Sequence, residues 1–409
     1  MTRFVPADLD ELRDAVAAAL AAEEPVELVG GGSKRGLGRP LQTPHTLDLS
    51  RLAGIRDYAP SELVLTAGAA TPLAEIERAL DAAGQMLAFE PPAWKMLFGG
   101  GGEPTLGGVL ACNLAGPRRI KAGAARDHFL GFRGVSGRGE IFKAGGKVVK
   151  NVTGYDLCKL MAGSYGTLTA LEEVTVKVLP RPEAVATVLV AGVDPPAAVR
   201  LMAAALGSPH EVSGAAYLPT GTALALALPI DSGRVALRIE GPAPSVAARR
   251  DSLLREHSGA GRAESLAHSE SIALWRAIGE VAPLTATAER AVWRISVAPA
   301  RGAEVAQAIA RSLDTTWFLD WGGGQVWAAV PETGDAGAGI IRAAIRGPEG
   351  HGIGHGTGHA TLVRGSPALR RAVSVFEQQP APLAALSRRV KEAFDPVHIL
   401  NPGRMVEGL

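Results

Sequence analysis

A chain of 409 residues, 47% apolar and 20% charged, is long enough for two or three domains with a large buried core and is not that of a disordered protein. Its formal net charge of +1 gives no global field for a nucleic acid or a membrane surface. Only Cys112 and Cys158 are present, which excludes an iron–sulfur cluster or a cysteine zinc site held by this chain alone and fits a reducing compartment.

Asp8, Asp10, Glu11 and Asp14 stand where a signal peptide would need apolar residues. A cytoplasmic protein is expected. Asp8 and Glu11 form a capping-box pattern that predicts a helix through about Ala22. A strand at 26–29 runs into a glycine loop, and helices are expected at 73–83, after Thr71-Pro72, and at 106–115. An alternating strand at 168–179 is stopped by Pro180-Arg181-Pro182, which sets the first boundary: one domain over 1–182 and a second over 183–375. The later half of the second domain reads strand 292–297, helix 302–313, strands 316–319 and 325–330, helix 337–345, strand 360–363. That β-α-β-β-α-β order predicts an α+β, ferredoxin-like antiparallel sheet with helices on one face. Earlier strands near 185–190, 215–218, 223–228 and 234–239, with helices near 196–206 and 243–257, would extend the same sheet. The remainder, 376–409, is an amphipathic helix (Leu383, Leu386, Val390, Phe394) and an extended tail, too short to fold alone and expected to pack back on a larger domain.

The chemistry lies in the glycine clusters. The first, Gly30-Gly31-Gly32-Ser33-Lys34-Arg35-Gly36, lets backbone N–H groups converge on a phosphate, with Lys34 and Arg35 to balance its charge. A dinucleotide fingerprint fails because Arg35 occupies the third glycine position, and a P-loop fails for lack of Gly-Lys-Ser/Thr. An ordinary glycine-rich turn is an equal reading of this loop alone. In the second cluster Thr105 is a good N-cap, and Gly107 and Gly108 in the first turn would bare a helix N-terminus to an anion or else let two helices pack. The third is Gly163-Ser164-Tyr165-Gly166-Thr167. Three such loops in one domain fit a long cofactor better than a mononucleotide.

Residues 118–159 hold ten basic side chains against Asp127, Glu140 and Asp156, and six of the nine lysines fall between Lys121 and Lys177. For most of them a solvated face is the simpler reading; a docking surface for an acidic partner subunit is the functional one.

These residues resemble the FAD-binding domain of the vanillyl-alcohol oxidase/PCMH flavoprotein superfamily. The likeness runs through Asp57 to Val64, Lys150-Asn151-Val152-Thr153-Gly154-Tyr155-Asp156-Leu157, Gly358 to Arg364 and the tail Ile399-Leu400-Asn401-Pro402-Gly403. Gly116-Pro117-Arg118-Arg119 and Asp320-Trp321-Gly322-Gly323 are similar to the FAD-binding subunit family of bacterial glycolate oxidases. The resemblance implies a two-lobed PCMH-type FAD domain and a cap domain beyond Pro182. It implies pyrophosphate held by Gly30, Gly31, Gly32, Ser33 and Lys34, with Thr105, Leu106, Gly107, Gly108, Asn113, Gly116, Gly166 and Thr167 lining the flavin. Covalent relatives carry a histidine in the first loop; here Ser33-Lys34 stand there, so the FAD is expected to be non-covalent.

His351, His355 and His359 alternate with glycines, so an extended segment would point all three one way. A three-histidine metal site is conceivable. Relatives that oxidise 2-hydroxy acids themselves pair such a segment with a nearby acid, and this chain has no Asp or Glu between Glu349 and Glu377. A glycine loop with incidental histidines is the stronger reading, and no metal is expected. The resemblance then implies a subunit of a multi-subunit glycolate oxidase, working beside a homologous flavin subunit and an iron–sulfur subunit. Its membrane association would run only through that complex. A self-sufficient FAD-dependent 2-hydroxy-acid or alcohol dehydrogenase and a flavin-stabilised subunit without turnover are the alternatives.

Overall fold

The computed structural model describes residues 2–147, 154–226, 228, 232–346 and 358–409. The chain divides into two compact units: Met1–Ala115 with Gly123–Arg181 and Gln378–Leu409, and Gly116–Ala122 with Pro182–Glu377. Two features lie outside the sequence-based boundaries. A seven-residue piece, Gly116–Ala122, leaves the first unit to join the second, and the C-terminal segment belongs to the first unit's body.

In the first unit Thr2–Phe4, His45–Asp48 and Val26–Val29 form a parallel sheet with His45–Asp48 central. Asp8 caps the helix Leu9–Ala22 by accepting the Glu11 amide at 2.9 Å, and Glu11 accepts the Ala7 amide at 2.7 Å. Leu12, Val16 and Ala19 face the core. The tail enters the same core. The Val26 amide donates to the Ile399 carbonyl at 2.8 Å and the Asn401 amide to the Val26 carbonyl at 3.1 Å, burying Ile399 and Leu400 beside Leu12 and Leu47. A second lobe is an antiparallel sheet ordered Ile55–Ala59, Val64–Gly68, Thr169–Lys177, Phe129–Ser136, Ile141–Gly145.

The C-terminal helix Ala381–Phe394 departs from its apolar pattern. Leu383 and Leu386 are exposed, and its one buried residue is Lys391. The Lys391 ammonium donates to Asp395 at 2.5 Å and to the carbonyls of Thr167 at 2.7 Å and Leu400 at 3.0 Å. Asp395 in turn accepts the amides of Ile399 and Leu400. A satisfied buried ion pair, rather than a leucine stripe, sets where the tail turns inward.

The second unit is an eight-stranded antiparallel sheet made of two successive β-α-β-β-α-β repeats. The first repeat supplies strands Ala184–Ala191, Gly214–Leu218, Arg234–Gly241 and Arg262–Leu266; the second supplies Arg290–Ser296, Thr316–Asp320, Gln325–Pro331 and His359–Arg364. In each, the spatial order is fourth, first, third, second, and the two second strands meet at Tyr217 and Leu319. Helices Pro195–Leu206, Ala243–His257, Gly302–Ser312 and Ala338–Arg346 share one core with the face bearing Val188, Leu237, Trp293, Val326 and Leu362. The first repeat corrects the sequence reading twice. The expected strand at 223–228 is replaced by the helix Thr220–Ala225, because its alternating Ala-Leu run is made of strong helix formers. The edge strand Arg262–Leu266 and helix His268–Gly279 were not foreseen, since a half-exposed, polar edge strand carries little apolar periodicity.

Candidate cofactor site

The strand Val26–Val29 delivers the first glycine loop to the mouth of an open cleft. Its lining includes Gly30, Gly31, Gly32, Ser33 and Lys34. A Cβ on Gly31 would overlap the Glu103 carbonyl oxygen, and Gly32 has a φ of 77°. Gly31 is therefore fixed by backbone packing against 103, and Gly32 by its left-handed turn. The N–H groups of Gly31 and Gly32 donate to nothing among the described residues. Converging free donors of this kind form a nest for an anion.

The charges behind the loop are already paired. Buried Glu27 accepts from Arg404 at 2.9 Å and from Arg35. The other end of the Arg404 guanidinium donates to the carbonyls of Arg35 and Leu37, each at 3.2 Å, so one tail residue braces the whole loop. Burial pulls the Arg404 pKa below its ordinary value while Glu27 opposes the shift. Lys34 donates to the Ala93 carbonyl at 2.5 Å and lies 6.0 Å from the Trp94 ring centroid.

Thr105, Gly107 and Gly108 also line the cleft, but not as a bared helix N-terminus. In the helix Leu106–Cys112 the Leu106 amide donates to Thr71, the Gly107 amide to Ala69 and the Gly108 amide to the Thr105 hydroxyl. The glycines serve close packing. A Cβ on Gly107 would lie 2.7 Å from the Ala69 carbonyl oxygen, so the second cluster gives the cleft a wall without side chains. Gly166, at a φ of 70°, completes the lining from the third loop. Asn401 holds that loop by donating to the Tyr165 carbonyl at 2.8 Å while its side-chain oxygen accepts the Leu28 amide at 2.8 Å.

Four expected residues stand elsewhere. Leu106 is core, and the Thr167 hydroxyl donates to Ser164 at 2.7 Å. The Asn113 side chain accepts the Arg126 amide at 3.0 Å. Gly116 is in the second unit, where its carbonyl accepts the Trp321 indole N–H at 3.1 Å. Conversely, Cys112, Tyr165, Asn401 and Arg404 line the cleft unassigned by sequence reasoning, although Asn401 sat within a quoted tail motif.

The basic run from 118 to 159 is largely consumed locally. Arg118 pairs twice with Glu240, at 3.0 and 2.6 Å, Arg133 with Glu172 at 2.8 Å, and Lys147 with Asp57. Arg119 lies 4.3 Å over the Trp321 ring. The two motifs that narrowed the resemblance, Gly-Pro-Arg-Arg and Asp-Trp-Gly-Gly, thus touch each other within the second unit. His359 opens the strand His359–Arg364; His351, His355 and Lys150 lie outside the described residues. Among the described residues no cluster of three or more His, Cys, Asp or Glu could hold a metal, and no helix is long and apolar enough to cross a membrane.

A cleft walled by side-chain-free glycines and floored by Ala69, Ala70 and Leu171, with free amides at one end, suits a long planar ligand bearing a pyrophosphate. Residues 3–145 match the FAD binding domain family. Over the whole fold the chain is similar to 4-ethylphenol oxidase from Gulosibacter chungangensis (TM-score 0.72, 13% identity, covering 99% of this chain and 89% of that one). It is equally similar to p-cresol methylhydroxylase with substrate bound (TM-score 0.71, 13% identity, 99% and 88%). The chain is an FAD-dependent oxidoreductase with the fold of these flavoproteins. The chain is 34% identical over 394 residues to glycolate oxidase subunit GlcE of Escherichia coli K12, covering 96% of each, and it belongs to that family. A shorter stretch of 85 residues, 21% of this chain and 18% of the relative, is 44% identical to glycolate oxidase subunit GlcD of Bacillus subtilis 168.

Proposed function

We propose that this chain is the FAD-binding subunit of a multi-subunit glycolate oxidase, oxidising glycolate or D-lactate to the 2-oxo acid and passing electrons to an iron–sulfur subunit. The observation that carries the reading is the end-to-end likeness to a protein named as a glycolate oxidase subunit, joined to a cleft whose residues fit FAD. Gly31 and Gly32 would hold the pyrophosphate through their amides; Gly107, Gly108 and Gly166 would flank the ring system. Bound there, FAD supplies the two-electron acceptor for a hydride. Arg404 and Asn401 keep the loops that surround it in place.

The cysteine content supports electron exit through a partner. Cys158 is buried with its thiol pushed up to about 11, and one further cysteine cannot ligate a cluster. Any attachment to a membrane would come through the assembled complex. The flavin is held without a covalent bond, because Ser33 and Lys34 occupy the loop position where covalent relatives bear histidine. Acid precipitation should leave the yellow colour in the supernatant; colour in the pellet overturns the non-covalent assignment. The function is tested by adding glycolate and D-lactate anaerobically to the isolated chain and to the complex while following flavin absorbance. Bleaching of this subunit's flavin in the complex is expected. Bleaching to the same extent and rate in the isolated chain points to a self-sufficient dehydrogenase, and none in either state to a structural flavin.

A further inference from the structure

Lys391 is 4% exposed, on a helix that leaves Leu383 and Leu386 on the surface. Lysine is among the residues least often buried, and burial pulls its pKa below the ordinary value while Asp395 opposes the shift. Anchoring the tail does not call for it, because a well-packed apolar residue in place of a buried ion pair is often neutral or stabilising. What an apolar side chain cannot do is hold a carbonyl. The three ammonium hydrogens match three acceptors on three stretches of chain: Asp395 at the helix end, Leu400 in the tail and Thr167 in the third glycine loop.

That loop is held against its preference. Tyr165 and Gly166 are both left-handed, with φ of 55° and 70°, and for a residue as bulky as tyrosine this conformation is an outlier. Strained backbone persists only where its surroundings fix it, and it gathers at ligand sites. Three brackets fix this turn. The Tyr165 amide donates to Ala111 at 2.9 Å, Asn401 donates to the Tyr165 carbonyl at 2.8 Å, and Lys391 donates to the Thr167 carbonyl at 2.7 Å. The amides of Gly163, Ser164, Tyr165 and Thr167 all donate to backbone carbonyls. The Gly166 amide, in the cleft lining, donates to nothing among the described residues. A side chain has no room there, since a Cβ on Gly166 would lie 2.8 Å from the Asn401 amide nitrogen.

We infer that Lys391 is a positioning residue for the cofactor: its bond to Thr167 holds the Tyr165–Gly166 turn so that the Gly166 amide stays available to a polar atom of the bound flavin nucleotide. This role rests on the FAD reading of the cleft. Asp395 supplies the control. It bonds Lys391 and the tail amides of Ile399 and Leu400, and among the described residues it makes no bond to the third loop.

The test compares Lys391→Met with Asp395→Asn in the full, FAD-loaded chain, at a temperature where both are folded. FAD release, visible circular dichroism of the bound flavin and denaturant unfolding are recorded for each. Both variants should be less stable than wild type. Lys391→Met should release FAD about tenfold faster and alter the flavin dichroism, whereas Asp395→Asn should stay within about twofold of wild type with an unchanged spectrum. If Lys391→Met does not fold, Lys391→Met/Asp395→Asn, which removes both charges together, takes its place against Asp395→Asn. Wild-type release and dichroism in the Lys391 variant, or equal changes in both variants, overturn the role, since flavin binding would then be indifferent to Lys391 or merely follow stability. A wild-type chain that retains no FAD strikes the cofactor reading itself, an outcome distinct from retained FAD that does not respond to Lys391.

Discussion

Around the first unit's cleft, the side chains behind the glycine loops are used within the protein. Glu27 holds two arginines, Arg404 braces three stretches of loop backbone, and Asn401 ties Leu28 to Tyr165. In the second unit, the end of the sheet bearing Arg294 and Gln325 leaves its side chains idle. The difference separates two ways of holding a ligand. A cofactor cleft built from backbone needs side chains as scaffolding, so its polar groups are internally satisfied and what stays free is main-chain N–H. A surface that recognises a ligand through side chains must keep them uncommitted, at a cost in stability.

The strongest way to break this contrast is at Gly31. Valine there would drive a branched side chain into the Glu103 carbonyl, and neither backbone can yield without losing the bridge between Gly32 and Glu103 and the Glu103 amide bond to the Gly31 carbonyl. Gly31→Val should abolish FAD retention and give little folded protein, read by bound flavin and by recovery on size exclusion. A stable, yellow variant would show that the loop is a tolerant turn. Next comes Arg404→Met. It removes one partner from a buried carboxylate and three carbonyl contacts, for a loss of about 3–5 kcal/mol in denaturant unfolding. FAD release should be faster at temperatures where the variant is still folded. Destabilisation with unchanged flavin affinity would make Arg404 a core residue and no more.

Arg404 marks the limit of what the sequence makes legible. The loops Gly30–Gly36 and Gly163–Thr167 are local, and the spacing of the first alone disposes of the dinucleotide and P-loop readings. The brace comes from a residue hundreds of positions away, and no periodicity records such a contact. The second half of the sheet could be read because its strands and helices are long and strongly patterned. The alternating Ala-Leu run at 223–228 misled because pattern and propensity disagree there. The polar rows on the sheet face opposite the four core helices were invisible for a further reason. Arg294, Ser296, Gln325 and Thr361 lie on three strands, and only the register of the sheet brings them level.

Within the second unit the contrast recurs between that idle end and the Gly116–Ala122 strap. Burial alone would raise the Glu240 carboxyl, but the charge of Arg238 and the hydrogen-bonded guanidinium of Arg118 hold it down to about 2, against an ordinary 4.5. A folded-state pKa below the unfolded one contributes stability above about pH 4.5, which is lost as pH falls toward about 2. Glu240→Gln should therefore cost roughly 3 kcal/mol at pH 7. The difference from wild type should shrink steadily between pH 4.5 and 2. A pH-independent difference would assign the loss to packing.

The smallest expected effect is at Trp321, where the strap's other anchor is a neutral hydrogen bond. Trp321→Phe removes the indole N–H that reaches the Gly116 carbonyl at 3.1 Å and leaves an aromatic face under Arg119, 4.3 Å from the native ring. An exchange of that kind costs about 1 kcal/mol, since the buried Gly116 carbonyl keeps the Arg119 amide as a donor at 3.1 Å. Denaturant unfolding should shift by that amount with FAD retention unchanged, because Gly116 lies outside the cleft lining and the helix Leu106–Cys112 ends at Asn113, whose left-handed backbone separates the two. Flavin loss in Trp321→Phe would show that the strap reaches through Asn113 into the cleft wall. The self-satisfied cleft and the second unit would then be coupled rather than independent.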